Sequence, residues 1–271
     1  MVKMHMLKSV TDTINTSFII ESEKGLLVVD GGFATECENL YNKLKELGGN
    51  VAAWFLTHPH TDHVNCLREM IKTHLNDIKI DMLYYNFPSV ELMNKYIPEG
   101  NENGDWLQGF YDDIAPAAIP VTTPHMGDIY SFGDVTVKIL REHNDSTPNN
   151  FSNNSSTVYR FETENSSVIF LGDLGIEGGE HLLIVAPPEL LKADYCQMAH
   201  HGQSGVLKNV YEAINPDYCL WCTPTWLWDN KGPGGYDTGK YKTVIVRGWM
   251  SEIGGMKKHY IMQEGPFEIE L

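Results

Sequence analysis

Apolar runs and helical periods alternate along the chain, with turn signals between them. Two short apolar runs flank residues 23–25, a pattern that predicts a β-hairpin. Further apolar runs predict strands, and segments with apolar residues every three or four positions predict helices. The predicted strands are residues 17–22, 26–30, 51–56, 80–85, 135–140, 157–162, 167–172, 194–199, 217–222 and 259–263. The predicted helices are residues 35–48, 64–75, 187–192, 206–214 and 240–253.

Two segments lack a regular pattern. Residues 86–130 carry several prolines and aromatic residues, with helical pieces predicted near 89–96 and 105–114. This segment is either a cap-like insertion over an active site, where substrate selection often resides, or an ordered excursion packed on the domain. Residues 141–156 are rich in Asn and Ser and predict a polar loop.

Each half of the chain shows strands followed by helices, which predicts an α/β protein with two packed sheets covered by helices. A length of 271 residues fits a single domain, 1–271, and no internal repeat is visible. Hydrophobic residues make up 42% of the chain, enough for a sizeable core, so wholesale disorder is excluded.

The composition of the chain limits the kinds of molecule that it could bind. The formal net charge of −16 argues against general nucleic-acid binding, because phosphate contacts need clustered basic residues. A small anionic substrate stays compatible, since bound divalent ions would lower the local negative charge. No run of eighteen apolar residues and no secretory stretch is present, so we expect a cytoplasmic protein without membrane association.

The five cysteines cannot all pair with one another. Cys219 and Cys222 have the spacing of a redox or zinc pair, but they lie in an apolar run that predicts a strand. We therefore expect a buried structural role for them rather than a redox role.

A dense set of metal-binding side chains follows the predicted strand 51–56. His58, His60, Asp62 and His63 stand within six positions, and imidazole and carboxylate are ligands that zinc prefers. His58 and His60 are two positions apart, so they share one face of an extended chain. Asp62 and His63 lie where the chain turns into the next helix and could address a second ion.

This run resembles the His-x-His-x-Asp-His signature of the metallo-β-lactamase superfamily. Later segments resemble the family's other motifs in order: a strand ending at Asp30, a Gly-Asp-Leu motif at Asp173 and a His-His-Gly motif at His200. Together with an Asn-Asn-Ser-Ser run, these are most similar to the branch that contains competence-protein hydrolase domains and choline-phosphate esterases. The resemblance implies an αββα sandwich of two mixed β-sheets flanked by helices, with the metal site at one edge.

The resemblance also implies a dinuclear centre that holds two divalent ions, Zn²⁺ first, with Mn²⁺ or iron as alternatives. Asp173 matches the bridging carboxylate, and Asp62 would also orient the attacking hydroxide and accept its proton. Asp30 either fixes the metal turn by hydrogen bonds or caps a strand end. The implied metal ligands are His58, His60, Asp62, His63, Asp173 and His200.

Two details of the ligand set stay open. Neighbouring strand residues point to opposite faces, so we expect one late histidine to reach the metal. We favour His200 as the ligand and His201 as a catalytic group facing the substrate. Many family members supply a further histidine to the first ion; here Asn154, His143 or water would complete that site.

Such a centre supports metal-assisted hydrolysis by a metal-bound hydroxide. We expect an enzyme that hydrolyses a small phosphoester or phosphodiester. The alternative is a hydrolase of a lactone, β-lactam or thioester. An iron-dependent oxidoreductase and a non-catalytic metal-binding module are less favoured. The sequence predicts neither the physiological substrate nor the oligomeric state.

Overall fold

The computed structural model describes residues 1–100, 102–145 and 147–271. Two mixed β-sheets pack face to face, and helices cover both outer faces. The expected α/β class and αββα sandwich are therefore confirmed.

The first sheet combines the amino-terminal strands with the last strand of the chain. Its order is β15-β1-β2-β3-β4-β6-β7, with β5 beside β4. Pairing is antiparallel from β15 to β3 and parallel from β3 to β7. The strands are β1 (Lys3–Met6), β2 (Ser17–Ser22), β3 (Gly25–Asp30), β4 (Asn50–Phe55), β5 (Lys79–Ile80), β6 (Leu83–Tyr84), β7 (Val121–Thr122) and β15 (Phe267–Glu270).

The second sheet runs through the strands in chain order from β8 to β14. Pairing is antiparallel from β8 to β11 and parallel from β11 to β14. The strands are β8 (Ile129–Ser131), β9 (Thr136–Arg141), β10 (Val158–Glu162), β11 (Ser167–Phe170), β12 (Tyr195–Gln197), β13 (Tyr218–Trp221) and β14 (Lys258–Ile261).

The helices lie outside the sheets. In the sequence, helices α1 to α4 lie between strands of the first sheet, and helices α5 to α10 lie between strands of the second sheet. Their bounds are α1 (Cys37–Glu46), α2 (Thr61–Thr73), α3 (Val90–Tyr96), α4 (Gly104–Ile114), α5 (Phe151–Asn154), α6 (Ile176–Val185), α7 (Pro188–Leu191), α8 (Lys208–Ile214), α9 (Thr225–Trp228) and α10 (Thr243–Glu252).

Three apolar layers follow from this arrangement. Aromatic side chains interlock between the sheets: Phe18 meets Phe170 with ring centroids 5.0 Å apart, and Phe55 meets Phe161 at 5.3 Å. A second layer packs the first sheet against α1, α2, α3 and α4. A third packs the second sheet against α6, α7, α8 and α10. All five cysteines are buried and free, in agreement with the structural role expected for them.

The predicted elements are present within about three residues of their expected bounds, except that the strand predicted at 80–85 is two short strands, β5 and β6. One boundary matters for the site. Helix α2 begins at Thr61, before the expected residue 64, so Asp62 and His63 lie in its first turn. The loop expected at 141–156 also contains the buried helix α5.

Besides α5, six strands and helices of the described residues have no counterpart in the sequence prediction: β1, β7, β8, β15, α6 and α9. Strands β1 and β15 pair with each other across the whole length of the chain. Helix α6 contains two adjacent glycines and ends in four consecutive apolar residues, a pattern that hides a helical period.

Both helices predicted within 86–130 are present, as α3 and α4; they pack against each other, and α4 also packs against α2. Their connector brings Glu102 to the start of α2. The cap-like role of this segment and the single-domain assignment stay predictions. Within the described residues, none of the helices has the length and apolar character needed to cross a membrane.

Candidate metal centre

The expected site residues meet where parallel strands from both sheets end. Asp30 is the last residue of β3, and His58 to His63 follow β4. Asp173 follows β11, and His200 and His201 follow β12. The carboxyl ends of parallel strands share one edge of a sheet, so the two sheets together deliver these side chains to one end of the sandwich.

Among the residues that the structure describes, two groups of potential metal-binding side chains have their ligand atoms within 4.8 Å of one another. The first consists of His58, His60 and Asp173, and the second of Asp62, His63, Asp173 and His201. Asp173 belongs to both groups. The second group is wholly buried, whereas His60 in the first is partly exposed.

Asp30 orients the second group through His63. The Asp30 carboxylate accepts hydrogen bonds from Thr57 N at 2.8 Å, from Thr57 Oγ1 at 2.9 Å and from His63 Nδ1 at 2.7 Å. A carboxylate accepts here, so His63 Nδ1 carries the proton. His63 Nε2 then lies 3.2 Å from Asp173 Oδ1 without a hydrogen bond. This is how a carboxylate fixes a ligating histidine.

His58 is held in a comparable way by a hydroxyl. Thr57 Oγ1 donates to Asp30, so it can accept from His58 Nδ1, 3.1 Å away. His58 Nε2 is buried without a partner. Burial, together with the nearby imidazoles of His63 and His60, holds the pKa of His58 well below its usual range. The ring is therefore neutral and its free nitrogen can bind a metal.

The Asp173 carboxylate is placed by tight contacts around Gly172. Gly172 has φ +56, and a Cβ there would lie 2.7 Å from Ser156 Oγ and 2.9 Å from Thr57 Cβ. Ser156 Oγ accepts a hydrogen bond from Asp173 N at 3.1 Å. Buried Arg141 donates to the Ser156 carbonyl oxygen at 2.7 Å and so holds this support in place.

His200 and His201 are not in a strand. They lie in a 3₁₀ turn, Ala199–Gly202, and both have left-handed backbone angles, φ 52 and φ 56. The expectation that they alternate as strand neighbours was therefore wrong. Left-handed angles at non-glycine residues are uncommon and cluster at functional sites.

This turn reverses the expected placement of the two rings. His201 Nε2 lies 2.9 Å from Asp62 Oδ2 and 3.3 Å from Asp173 Oδ2, and Nδ1 donates to the Cys222 carbonyl oxygen at 3.1 Å. The His201 side chain is fully buried. His200 Nε2 lies 3.7 Å from Asp173 Oδ2, its side chain is 21% exposed, and it belongs to neither group.

The carboxylates control protonation in this cluster. Burial alone would lower the pKa of His201, but Asp173 and Asp62 outweigh it and raise that pKa to about 9. Burial is likewise outweighed at His63 by Asp173, Asp30 and Asp62, which raise its pKa well above its usual value. In turn, these imidazolium groups outweigh burial at Asp173 and lower its pKa. In the absence of metal, the carboxylates thus favour the protonated forms of His63 and His201.

The candidates for a third ligand of the first ion lie elsewhere. Asn154 Oδ1 accepts from Gly175 N at 2.9 Å and from Gly178 N at 3.0 Å, which satisfies the start of α6. Its Nδ2 donates to the Asn149 carbonyl oxygen and to Glu177. His143 lies beside Asp145 and belongs to neither metal group. Neither residue is thus placed to complete the first group.

The donor set fits metal ions. His58 Nε2, His63 Nε2 and Asp173 Oδ1 are buried in the cluster without hydrogen-bond partners. Leaving such atoms unpaired is costly, and one cation in each group would satisfy them. Two residues that contact the cluster were not identified from the sequence. Thr57 lies within the His-rich run, and Glu102 lies in no recognisable motif.

The chain belongs to the metallo-β-lactamase superfamily, which it matches over residues 10–217. The expected superfamily is thus confirmed.

The chain is also similar to individual proteins of known sequence or structure. ComE operon protein 3 of Bacillus subtilis (strain 168) is 28% identical over 154 residues, which are 56% of this chain and 17% of that protein. The match therefore spans only a small part of this relative. Among solved structures, the metallo-β-lactamase fold protein YhfI from Bacillus subtilis superposes over all of both chains, with a TM-score of 0.56 and 11% identity. A mutant of the CmlA β-hydroxylase has a TM-score of 0.58 at 12% identity, covering all of this chain and 54% of that one. These two likenesses show the shared fold.

Proposed function

We propose that this protein is a dinuclear metal-dependent hydrolase that acts on a small phosphoester or phosphodiester. The observation that carries the proposal is the pair of His/Asp groups that share Asp173. A shared carboxylate lets two cations sit side by side, which is the arrangement that two-metal hydrolysis requires.

The ligands divide along the two groups. His58, His60 and Asp173 would hold the first ion, and Asp62, His63, Asp173 and His201 the second. In this assignment His201 replaces His200 as the late ligand. The partly exposed ring of His200, next to Asp173, is then the group that faces the substrate. Zinc suits a set of imidazoles and carboxylates. The first site has fewer protein ligands and is the weaker one.

Bound ions would lower the pKa of a coordinated water and polarise the scissile oxygen of the substrate. The protein contributes orientation and proton transfer. Asp62, in the first turn of α2, is held at 2.9 Å from His201 and can accept the proton of the attacking water. Asp30 and Thr57 keep His63 in the tautomer that presents Nε2 to the centre.

The charge of the loaded centre suits an anionic substrate. Two divalent ions bring four positive charges, and Asp62 and Asp173 bring two negative ones, which leaves two positive charges at the site. An attacking hydroxide and a phosphodiester monoanion would balance them. The motif resemblance to the branch that contains the choline-phosphate esterases supports the same substrate class.

The fold alone does not select hydrolysis, because the superposed CmlA protein is named a β-hydroxylase. The decisive experiment loads the metal-free protein separately with zinc, manganese and iron. Each preparation is then assayed on a chromogenic phosphodiester, a lactone, a β-lactam and a thioester, and for oxygen consumption.

We expect phosphodiester turnover that falls about a hundredfold or more in Asp62→Asn, because the proton acceptor and a ligand of the second ion are both lost. Asp112→Asn, a change at an exposed carboxylate on α4, should keep wild-type turnover. Turnover of the lactone, β-lactam or thioester without any phosphodiester activity would move the assignment to carbonyl substrates. Oxygen consumption restricted to the iron form would overturn hydrolysis altogether.

A further inference from the structure

Glu102 reaches the metal centre from outside the recognised motifs. It lies in the connector between α3 and α4, and its Oε1 accepts a hydrogen bond from Thr61 N at 2.7 Å. Its Oε2 lies 3.6 Å from His60 Nε2. One carboxylate thus touches the first amide of α2 and the neighbouring member of the first metal group.

The fold holds this carboxylate in place. Asn103 caps α4 by accepting from Trp106 N, and Gly104 N donates to Asn94 Oδ1 on α3 at 3.0 Å. A Cβ on Gly104 would lie 2.2 Å from the Val90 carbonyl oxygen, so α3 and α4 approach closely here. These contacts fix the residues that follow Glu102.

Helix α4 is in turn tied to α2. Arg68 on α2 pairs with Asp113 on α4, and its guanidinium lies 5.8 Å from the centre of the Trp106 ring. These contacts hold α4, and the connector that precedes it, against α2. Glu102 is set by two packed helices, unlike a side chain on a free surface loop.

Capping explains one oxygen of Glu102. The first amides of a helix lack partners within the helix, and a negative charge is favourable at its N-terminus. The second oxygen has no such explanation, since it faces a ring nitrogen of His60. At 3.6 Å the two atoms are neighbours, and the contact is longer than a hydrogen bond.

The other grouped imidazoles show what such a contact does. His63 Nδ1 donates to Asp30, His58 Nδ1 faces Thr57 Oγ1, and His201 Nδ1 donates to the Cys222 carbonyl oxygen. In each ring one nitrogen is held by the protein and the other faces the cluster. A carboxylate in that outer position also raises the basicity of the ligand.

We propose that Glu102 is the positioning residue of His60: its carboxylate accepts the His60 Nε2 proton, leaves Nδ1 for the first ion, and so couples the α3–α4 segment to metal binding. This inference rests on the proposed function, because it uses the same first metal group. It adds a ligand support that the chain supplies from the segment 86–130.

The test is a zinc titration of the metal-free protein against a chromophoric chelator, which needs no substrate. Glu102→Gln retains a carbonyl oxygen for Thr61 N but removes the charge. We expect this substitution to lower the affinity for one of the two zinc ions by about 10–100-fold, which is the typical effect of losing a carboxylate that supports a metal-binding histidine. The affinity for the other zinc ion should not change. Glu99→Gln, an exposed change in the same connector, should match the wild type.

Two further measurements separate positioning from capping. The cobalt-substituted protein should show an altered visible spectrum in Glu102→Gln, and ring-nitrogen NMR of the zinc form should find the His60 proton on Nε2 in the wild type. Glu102→Ala should lower the urea midpoint as well, because the cap is also lost.

Each result has one meaning. If Glu102→Gln binds both ions with wild-type affinity, or if the His60 proton lies on Nδ1, the role of Glu102 is overturned while the hydrolase proposal stands. A wild-type protein that binds no zinc would instead overturn the metal assignment on which both proposals rest.

Discussion

At the scale of single residues, the backbone at His200 and His201 decides which ring enters the centre. Both residues have left-handed angles, and the turn places His201 against Asp62 and Asp173 while His200 stays partly exposed. The strain of such angles is about 1–3 kcal/mol for each residue. The packing of Gly202 helps to impose the turn, because a Cβ there would lie 2.3 Å from the ring of Trp221.

The two histidines are separable by matched substitutions. Asn tolerates left-handed angles better than most residues, so His201→Asn and His200→Asn should both fold. We expect His201→Asn to lose one equivalent of metal, because its Nε2 belongs to the buried second group. His200→Asn should retain both ions and lose turnover. Elemental analysis and the phosphodiester assay measure these two quantities, and a metal loss confined to His200→Asn would contradict the assignment.

The sequence was a better guide to the residue types in the candidate metal centre than to their arrangement. The dense run at residues 57–63 and Asp173 were recognisable because their chemistry is local in the chain. The choice of His200 over His201 rested on strand geometry, and that premise was wrong because the chain forms a turn there. Glu102 was unpredictable, since it meets Thr61 only through a contact between residues 41 positions apart.

At the scale of elements, the backbone amides at the start of α2 and of α6 are hydrogen-bonded by side chains that lie far away in the sequence. Glu102 accepts from the first amide of α2, and Asn154 accepts from Gly175 and Gly178 at the start of α6. These acceptors explain why α2 begins before its apolar period and why the Asn-rich segment is buried. Local sequence rules look for the cap within the same few residues, so they missed both.

Asn154 therefore has a structural role that can be measured. Asn154→Ala removes two accepted hydrogen bonds in a buried place, which should cost about 1–3 kcal/mol of unfolding free energy. Metal content should not change, because the Asn154 side chain points to α6 and belongs to neither metal group. Urea unfolding and elemental analysis test the two statements. Asn149→Ala, at an exposed partner of Glu177, is the matched control. Loss of metal without loss of stability would restore Asn154 as a ligand.

At the scale of the whole molecule, the sandwich brings the carboxyl ends of parallel strands from both sheets together at one end. The first sheet supplies Asp30 and the run after β4, and the second supplies Asp173 and His201. The alternation of strands and helices predicted the class of the fold, but the αββα sandwich with a metal site at one edge followed only from the family resemblance. Pairing of β1 with β15 joins the two chain ends, and no local pattern reports such a contact.

The protonated cluster gives the metal-free protein a distinctive pH dependence. The raised pKa values of His63 and His201 stabilise the fold below the unfolded value of about 6.5, and this contribution is lost as pH rises toward the folded pKa, about 9 for His201. The lowered pKa values of Asp62 and Asp173 act at acidic pH: they stabilise above the ordinary carboxyl range, and that contribution is lost as pH falls.

We therefore expect the unfolding free energy of the chelator-treated protein to fall by a few kcal/mol between pH 6.5 and 9. Zinc should remove this loss, because metal binding needs deprotonated imidazoles and strengthens as pH rises. Urea unfolding at several pH values, with and without zinc, gives both curves. Equal stability of the metal-free protein at pH 6.5 and pH 9 would contradict the protonation of the cluster.

The central claim is that one chain holds two metal ions through a shared Asp173, and the number of ions bound is its most direct test. The protein is freed of metal with a chelator, loaded with zinc or manganese, dialysed and analysed for metal per chain. The account predicts close to two equivalents in the wild type and a large loss of both in Asp173→Ala. One equivalent or none in the wild type would contradict the dinuclear centre.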